Sequence, residues 1–393
     1  MISVPSYILV SPNMKNRKLL MIPGPSPVAR SIQDQMGRET IAFGDPAFVD
    51  DFRLVLADLK AMWKTSGEVF VVAGTGTLAM EMAIANSTRR GDNVLVVSHG
   101  YFGDRYAEIC RRKGLAVDVL SSEWGKAVPV STIESKLSGK RYRAVTVTHV
   151  DTSTGVCADV EKIGARTRKH SGLIFIVDGV CATAAEPESV DEMGIDILFT
   201  GSQKAFGISP GLAMLWAGPR AMERRRELGA IPEYYVDFEQ WLPVMHDPSK
   251  YFATPAVNLV WALKEAVRII QEEGLEARCL RHRKSALAVQ SALEAIGFGI
   301  LAEPGHRAST LSGVLYKGDM DDLRFRKTLA EEGVQVSAGL GEYAGKMFRL
   351  GHMGNIDTHD LVSVIAAIER TLARLGKPIE PGKGIAALTK GLL

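Results

Sequence analysis

The chain alternates short, almost wholly apolar runs with longer stretches of mixed polarity. Six runs stand out: Val69-Phe70-Val71-Val72, Asn93-Val94-Leu95-Val96-Val97, Ala144-Val145-Thr146-Val147-Thr148, Leu173-Ile174-Phe175-Ile176-Val177, Ile195-Asp196-Ile197-Leu198-Phe199 and Leu212-Ala213-Met214-Leu215-Trp216. Runs of this length without polar alternation predict strands buried on both faces, as in a parallel sheet. Helix-forming stretches such as Leu78-Ala79-Met80-Glu81-Met82-Ala83 separate them. The alternation predicts an α/β fold with a mostly parallel, doubly wound sheet, with residues 212–216 as a returning strand. After Pro255 the pattern changes. Residues 257–273 and 275–295 read as long amphipathic helices broken at Gly274. Short strands at 313–316 and 346–350 and helices at 323–332 and 358–375 follow, predicting a smaller α+β domain. The expected organisation is an N-terminal arm over 1–20, a large domain over 21–260 and a small domain over 261–393, with the first long helix bridging them.

The length of 393 residues agrees with two domains. A net charge of +2, with no basic run longer than Arg224-Arg225-Arg226, gives no indication of nucleic-acid binding. The cysteines Cys110, Cys157, Cys181 and Cys279 are scattered without metal-ligand spacing. Free thiols fit a reducing compartment, and a cytoplasmic protein is expected. No apolar stretch reaches the roughly 20 residues that span a bilayer, so no membrane contact is expected. Nor does the N-terminus read as a secretory leader.

Two residues at predicted strand exits carry the candidate chemistry. Asp178 closes the run ending at Val177, and Lys204 follows the next run in Gly201-Ser202-Gln203-Lys204. Singly, such an aspartate reads as a turn or cap and such a lysine as a solvated charge. Together they open into one crevice of an α/β sheet. A lysine there can form a Schiff base with an aldehyde cofactor, and the aspartate can hold a protonated pyridine nitrogen. Pyridoxal 5′-phosphate (PLP) is the cofactor that asks for both. Between a strand and a helix, Ala73-Gly74-Thr75-Gly76-Thr77 can offer a phosphate its backbone N–H groups, hydroxyls and the positive helix end. Phe102 can stack on a planar ring, and the Thr152 hydroxyl can reach the cofactor's phenolic oxygen.

With these residues in view, the chain resembles the class V aminotransferases of fold type I, within them the alanine–glyoxylate and serine–pyruvate group. The resemblance runs from about Leu19 to Gly384 and rests on Pro23-Gly24-Pro25, residues 73–77, Gly100-Tyr101-Phe102-Gly103-Asp104-Arg105, Asp151-Thr152-Ser153-Thr154-Gly155, Asp178-Gly179-Val180, Gly201-Ser202-Gln203-Lys204 and Arg349-Leu350-Gly351-His352-Met353-Gly354. It implies Lys204 as the Schiff-base lysine, Asp178 as the partner of the pyridine nitrogen, and Phe102 and Val180 on the two ring faces. It further implies Thr152 at the phenolic oxygen, and Thr75, Gly76, Thr77 and Gln203 at the phosphate. Tyr251 and Thr254 match a pair that reaches the neighbouring subunit's phosphate site, which implies a homodimer. Arg349 matches the arginine that binds the substrate carboxylate. Pro23 and Gly24 would lie beside the substrate, with backbone N–H groups assisting. The activity implied is a ping-pong transfer from alanine or serine to glyoxylate or pyruvate.

The segment Glu39-Thr40-Ile41-Ala42-Phe43-Gly44-Asp45 departs from the Gly-His-Arg-type sequence of many relatives, leaving the amino donor open. Ureidoglycine–glyoxylate and pyridoxamine–pyruvate transamination are alternatives within the family. A desulfurase-like lyase ranks lower, because no cysteine follows Cys279. A non-catalytic binding protein ranks lower too, because Lys204 is present. For His149 and His352, contact with the cofactor region and a structural role both stay open.

Overall fold

The computed structural model describes residues 18–393. Seven strands form the main sheet: β1 Glu68–Gly74, β2 Asn93–Ser98, β3 Ala116–Ser121, β4 Ala144–Thr148, β5 Ile174–Asp178, β6 Ile197–Gly201 and β7 Gly211–Ala217. Their spatial order is β1-β7-β6-β5-β4-β2-β3. Pairing is parallel from β6 through β5, β4 and β2 to β3, and β7 alone runs antiparallel, wedged between β1 and β6. The apolar runs are the strands expected, since β4, β5 and β6 are buried along their whole lengths. The returning strand is internal, so β1 and β6 pair through it and not with each other.

Helices cover both faces. Helix α1 (Pro46–Met62) begins at Asp45, whose carboxylate accepts from the Ala47 N–H, with Pro46 in the first turn. Its inward stripe is Phe48, Phe52, Val55 and Leu59, the spacing of one helix face. Helix α2 (Gly76–Ala85) is apolar almost all round and buries seven of its ten residues. It packs against β6 and β7, which brings its N-terminus to the exits of β1 and β6. Helix α3 (Tyr101–Arg112) follows β2 in the same way.

Helix α4 (Val257–Glu273), the helix expected to bridge the domains, buries Val260, Leu263, Val267 and Ile270 in the large core. Helix α5 (Leu275–Ala295) adds Ala288, Val289, Ala292 and Leu293 to a second core. That core packs a sheet of β8 Gly299–Ile300, β9 Leu311–Leu315, β10 Ser337–Ala338 and β11 Met347–Gly351, in the order β8-β9-β11-β10 and antiparallel throughout. Helices α6 (Thr358–Arg374) and α7 (Lys383–Leu392) cover it. The expected arm falls largely outside the described residues. What is described of it, Leu19–Leu20, pairs in parallel with Val334–Gln335, and Met21 lies in the second core.

Candidate active site

The parallel strands point their C-terminal ends at one cavity of about 190 Å³. Thr75, Gly76 and Thr77 line it from the β1–α2 turn, Phe102 from α3, Thr152 from the loop after β4, Asp178 and Val180 from the end of β5, and Gln203 and Lys204 from the loop after β6. Sheet register puts Asp178 opposite Thr148 on one side and Phe199 on the other, so the aspartate sits one strand from the lysine loop.

Lys204 is buried, and its amine donates to the Pro23 carbonyl. Gly24 has φ +100°, and a Cβ there would come within 2.5 Å of Lys204 Cδ. The Pro23-Gly24-Pro25 turn is therefore a rest for the lysine chain. The role expected for its N–H groups is corrected, because its single N–H, that of Gly24, donates to the Ile22 carbonyl at 2.7 Å.

Burial pushes the Asp178 carboxyl up to about 7. The Val180 N–H, which donates at 2.9 Å, and the Lys204 ammonium oppose this, while Asp151 and Glu188 add to it. Asp151 is itself occupied at the start of α3, where it accepts from the Phe102 N–H at 3.0 Å and the Gly103 N–H at 3.3 Å. At the β1–α2 turn, Thr75 is the N-cap residue of α2 and makes no side-chain cap bond. Gln203 Oε1 is buried without a partner among the described residues. A Cβ on Gly76 would meet Val180 Cγ2 at 2.6 Å, so only glycine lets the turn lie this close to β5.

Arg349, on β11, reaches across from the second sheet. Its Nε donates to the Ala338 carbonyl at 2.8 Å and one Nη to the Thr152 carbonyl at 3.2 Å. Burial draws its pKa below the ordinary arginine value, with Cys181 and Asp151 opposing. The Thr152 hydroxyl donates to Cys181 Sγ at 3.0 Å. Tyr251 and Thr254 do not line this cavity. Tyr251 is 62% exposed and packs on Phe43 with ring centroids 5.2 Å apart.

A model of the family "Aminotransferase class-V" matches residues 51–353. The chain belongs to the class-V aminotransferases. A Paracoccus denitrificans protein named L-aspartate–glyoxylate aminotransferase is 34% identical over 95% of this chain and 96% of its own. A Synechococcus protein named soluble hydrogenase, small subunit, is 33% identical over 96% of this chain and 99% of its own. The crystal structure of an alanine–glyoxylate aminotransferase from Nostoc superposes with a TM-score of 0.87 at 32% identity, over 94% of this chain and all of the other. This class-V aminotransferase thus has a fold type I architecture, and the lysine loop and the carboxylate at the end of β5 lie within the matched region.

The cavity also contains residues that sequence reasoning passed over: Met80, Arg105, Thr148, Val150 and Cys181. Arg105 lies over Phe102, 4.8 Å from the ring centroid, and its Nη1 is 3.4 Å from Thr77 Oγ1. Its position within Tyr101-Phe102-Gly103-Asp104-Arg105, one helical turn from Phe102, is a signal that could have found it. Neither open histidine lines the cavity. His352 is hydrogen-bonded to Ser312 Oγ at 3.0 Å and to the Ser309 carbonyl at 3.1 Å, and burial pushes its pKa down to about 4. The His149 N–H donates to the Asp178 carbonyl at 2.9 Å, and its ring meets Glu188 at 2.7 Å. Burial alone would lower its pKa, but Cys157 and Glu188 outweigh burial and hold it well above the ordinary histidine value.

Arg278 of α5 also escaped the sequence reading. It is 1% exposed and donates to the Ala184 carbonyl at 3.1 Å, the Ala205 carbonyl at 2.8 Å and Glu273 at 2.6 Å. It therefore anchors the backbone immediately after Lys204.

Proposed function

We propose that this aminotransferase uses PLP to move the amino group of a small amino acid, alanine or serine, to glyoxylate or pyruvate in a ping-pong cycle. The observation that carries the reading is one cavity holding a buried amine, a buried carboxylate and a helix N-terminus, with the Arg349 guanidinium bonded to the carbonyl of Thr152, which lines it. These residues fit the cofactor. Thr75, Gly76, Thr77 and Gln203 would hold its phosphate, and Phe102 and Val180 would flank the ring. Asp178 would keep the ring nitrogen protonated, and the Thr152 hydroxyl would bond the phenolic oxygen. When bound, PLP supplies an aldehyde for the amino group and an electron sink for the pair left at Cα.

Lys204 would carry the Cα proton. Its amine rests on the Pro23 carbonyl and makes no ion pair with a carboxylate among the described residues. Arg349 would fix the substrate carboxylate in two-pronged geometry, with its fork oriented by the Ala338 and Thr152 carbonyls. The glyoxylate acceptor is supported by the names of the Paracoccus and Nostoc proteins. Tyr251, exposed and outside the lining of its own cavity, and Thr254, 3.5 Å from its hydroxyl, are read as serving a neighbouring subunit in a homodimer. No described helix is long and apolar enough to cross a membrane, and the cytoplasmic reading rests on the free cysteines.

The test is the visible absorbance of the PLP-loaded protein. Alanine or serine bleaches the band, and glyoxylate or pyruvate restores it. Aspartate, ureidoglycine and pyridoxamine serve as rival donors. Lys204→Ala abolishes steady-state turnover; substantial turnover by that variant would sink the proposal.

A further inference from the structure

Helix α2 presents its positive end to the cavity that holds Lys204. Its first turn carries no acidic residue, and Thr75 at the N-cap makes no side-chain bond. The first intrahelical bond runs from the Ala79 N–H to the Thr75 carbonyl at 3.1 Å. The N–H groups of Gly76, Thr77 and Leu78 precede it, with the positive pole of the helix behind them.

A second positive charge stands against this end. Arg105 of α3 lines the same cavity, and its Nη1 donates to Thr77 Oγ1 at 3.4 Å. Its guanidinium lies 4.8 Å from the ring centroid of Phe102 and 5.1 Å from that of Tyr101. The helix that carries it is fixed at its start. The Tyr101 N–H donates to Ser153 Oγ at 3.0 Å and the Phe102 N–H to Asp151 at 3.0 Å. No carboxylate pairs with Arg105 among the described residues. The adjacent Asp104 accepts from Ser98 Oγ at 2.8 Å. Asp178, the one carboxylate in the lining, accepts from the Val180 N–H. A helix N-terminus repels a guanidinium beside it unless an anion joins them. Two positive groups therefore meet here with no anion of the chain between them.

We propose that Arg105 supplies the counter-charge for the cofactor's phosphate, and so makes the site prefer the phosphorylated cofactor to its unphosphorylated form. The inference rests on the PLP reading above. A phosphate monoester carries a charge of about −1.5 to −2 at neutral pH. Thr75, Gly76, Thr77 and Gln203 offer it hydrogen bonds without charge, and the helix pole offers about half an elementary charge. Lys204 is committed to the aldehyde. Arg349 is tied to the Ala338 and Thr152 carbonyls. Arg105 is the cation left, and its planar fork suits phosphate oxygens. The Thr77 hydroxyl that it bonds is itself one of the groups assigned to the phosphate, so both serve one ligand.

The test compares PLP with pyridoxal, which has the same ring and aldehyde but no phosphate. Each is titrated into the cofactor-free full-length protein, and binding is followed by visible absorbance. Wild type is expected to hold PLP at least about tenfold tighter than pyridoxal. Arg105→Gln weakens PLP by about tenfold or more and leaves pyridoxal within about twofold, and Arg105→Lys recovers part of the loss. Inorganic phosphate competes with PLP for wild type, and about tenfold less well for Arg105→Gln. Equal weakening of PLP and pyridoxal would make Arg105 a support for the Phe102 ring. Unchanged PLP affinity with a raised KM for aspartate would make it a substrate residue. Either result overturns the proposal, as does unchanged affinity for both forms in Arg105→Gln with native circular dichroism. A wild type that takes up neither form would sink the PLP reading and this proposal with it, so the wild-type titration tests that reading separately from the variants.

Discussion

Gly24→Ala tests whether the turn at residue 24 governs the position of the lysine. Two effects are combined in this substitution. Gly24 has φ +100°, and an L-residue in such a conformation costs about 1–2 kcal/mol. The new Cβ would also lie 2.5 Å from Lys204 Cδ and 2.9 Å from its Cε and Nζ. Carbon atoms rest about 3.5–4.0 Å apart, so the lysine chain must move by about 1 Å. It is the flexible partner, and it moves while the backbone stays. A displacement of that size at a reacting group costs on the order of a hundredfold in rate. Gly91→Ala separates the two effects, because Gly91 has φ +86° and nothing within 4 Å of its Cβ position. Both variants are expected to lose a similar, small amount of stability in thermal unfolding. Only Gly24→Ala is expected to lose about two orders of magnitude in kcat/KM. Equal kcat/KM for the two variants would refute the claim that the turn positions Lys204.

Asp178→Asn keeps the shape of the side chain and removes its charge, so turnover falls steeply while cofactor-free stability changes with pH. The folded carboxyl has its pKa raised to about 7 against about 3.9 when unfolded. The native state therefore binds the extra proton, and wild-type stability falls as pH rises from about 4 through 7 by up to a few kcal/mol. Urea unfolding of the cofactor-free proteins should then find the Asn variant the more stable one at pH 8, with the gap closing by pH 4. A constant gap would contradict the burial of Asp178. Arg278→Ala leaves the Ala184 and Ala205 carbonyls without their donor and Glu273 with Arg281 alone, and is expected to cost at least about 2 kcal/mol in urea unfolding, since each buried acceptor left unmatched costs about 1–3 kcal/mol. Arg349→Lys keeps a charge and loses the fork. It should raise KM for the amino acid and the oxo acid while cofactor absorbance stays normal, and a KM equal to that of wild type would remove Arg349 from the carboxylate site.

The strands and their exits were legible because a parallel strand buried on both faces has little choice of composition. The runs ending at Val177 and Phe199 announced β5 and β6, and Asp178 and Lys204 could be read at their ends. The Gly-Thr turn after β1 was legible for the same reason. What the sequence concealed are pairings between distant residues. Arg278 sits in a stretch that reads as the polar face of a helix, yet it is buried because the Ala184 and Ala205 carbonyls lie against it. Glu188 carries no local sign that it will meet His149, 39 residues away. Tyr343 of the second sheet's loop stacks on Trp124 at 5.7 Å, again across a separation that periodicity cannot see. The single N–H of the Pro23-Gly24-Pro25 turn was assigned to substrate, because a carbonyl two residues back is invisible to a reading by motif.

The antiparallel strand β7 joins the two halves of the site without contributing to its chemistry. Gly74, which ends β1, is opposite Gly211, and Gly201, which ends β6, is opposite Ala213. The cradle turn and the lysine loop therefore each take their height from the same strand, and the idealised Cβ of Gly201 falls 3.4 Å from the Gly76 nitrogen. Strand registers change only in whole residues, each about 3.3 Å long and each reversing which face a side chain points to. The span between the Gly-Thr turn and the amine is thus quantised, with no neighbouring value that leaves the core intact. Evolution or design on this scaffold can vary the walls of the site almost freely, but the ruler that sets its length is fixed.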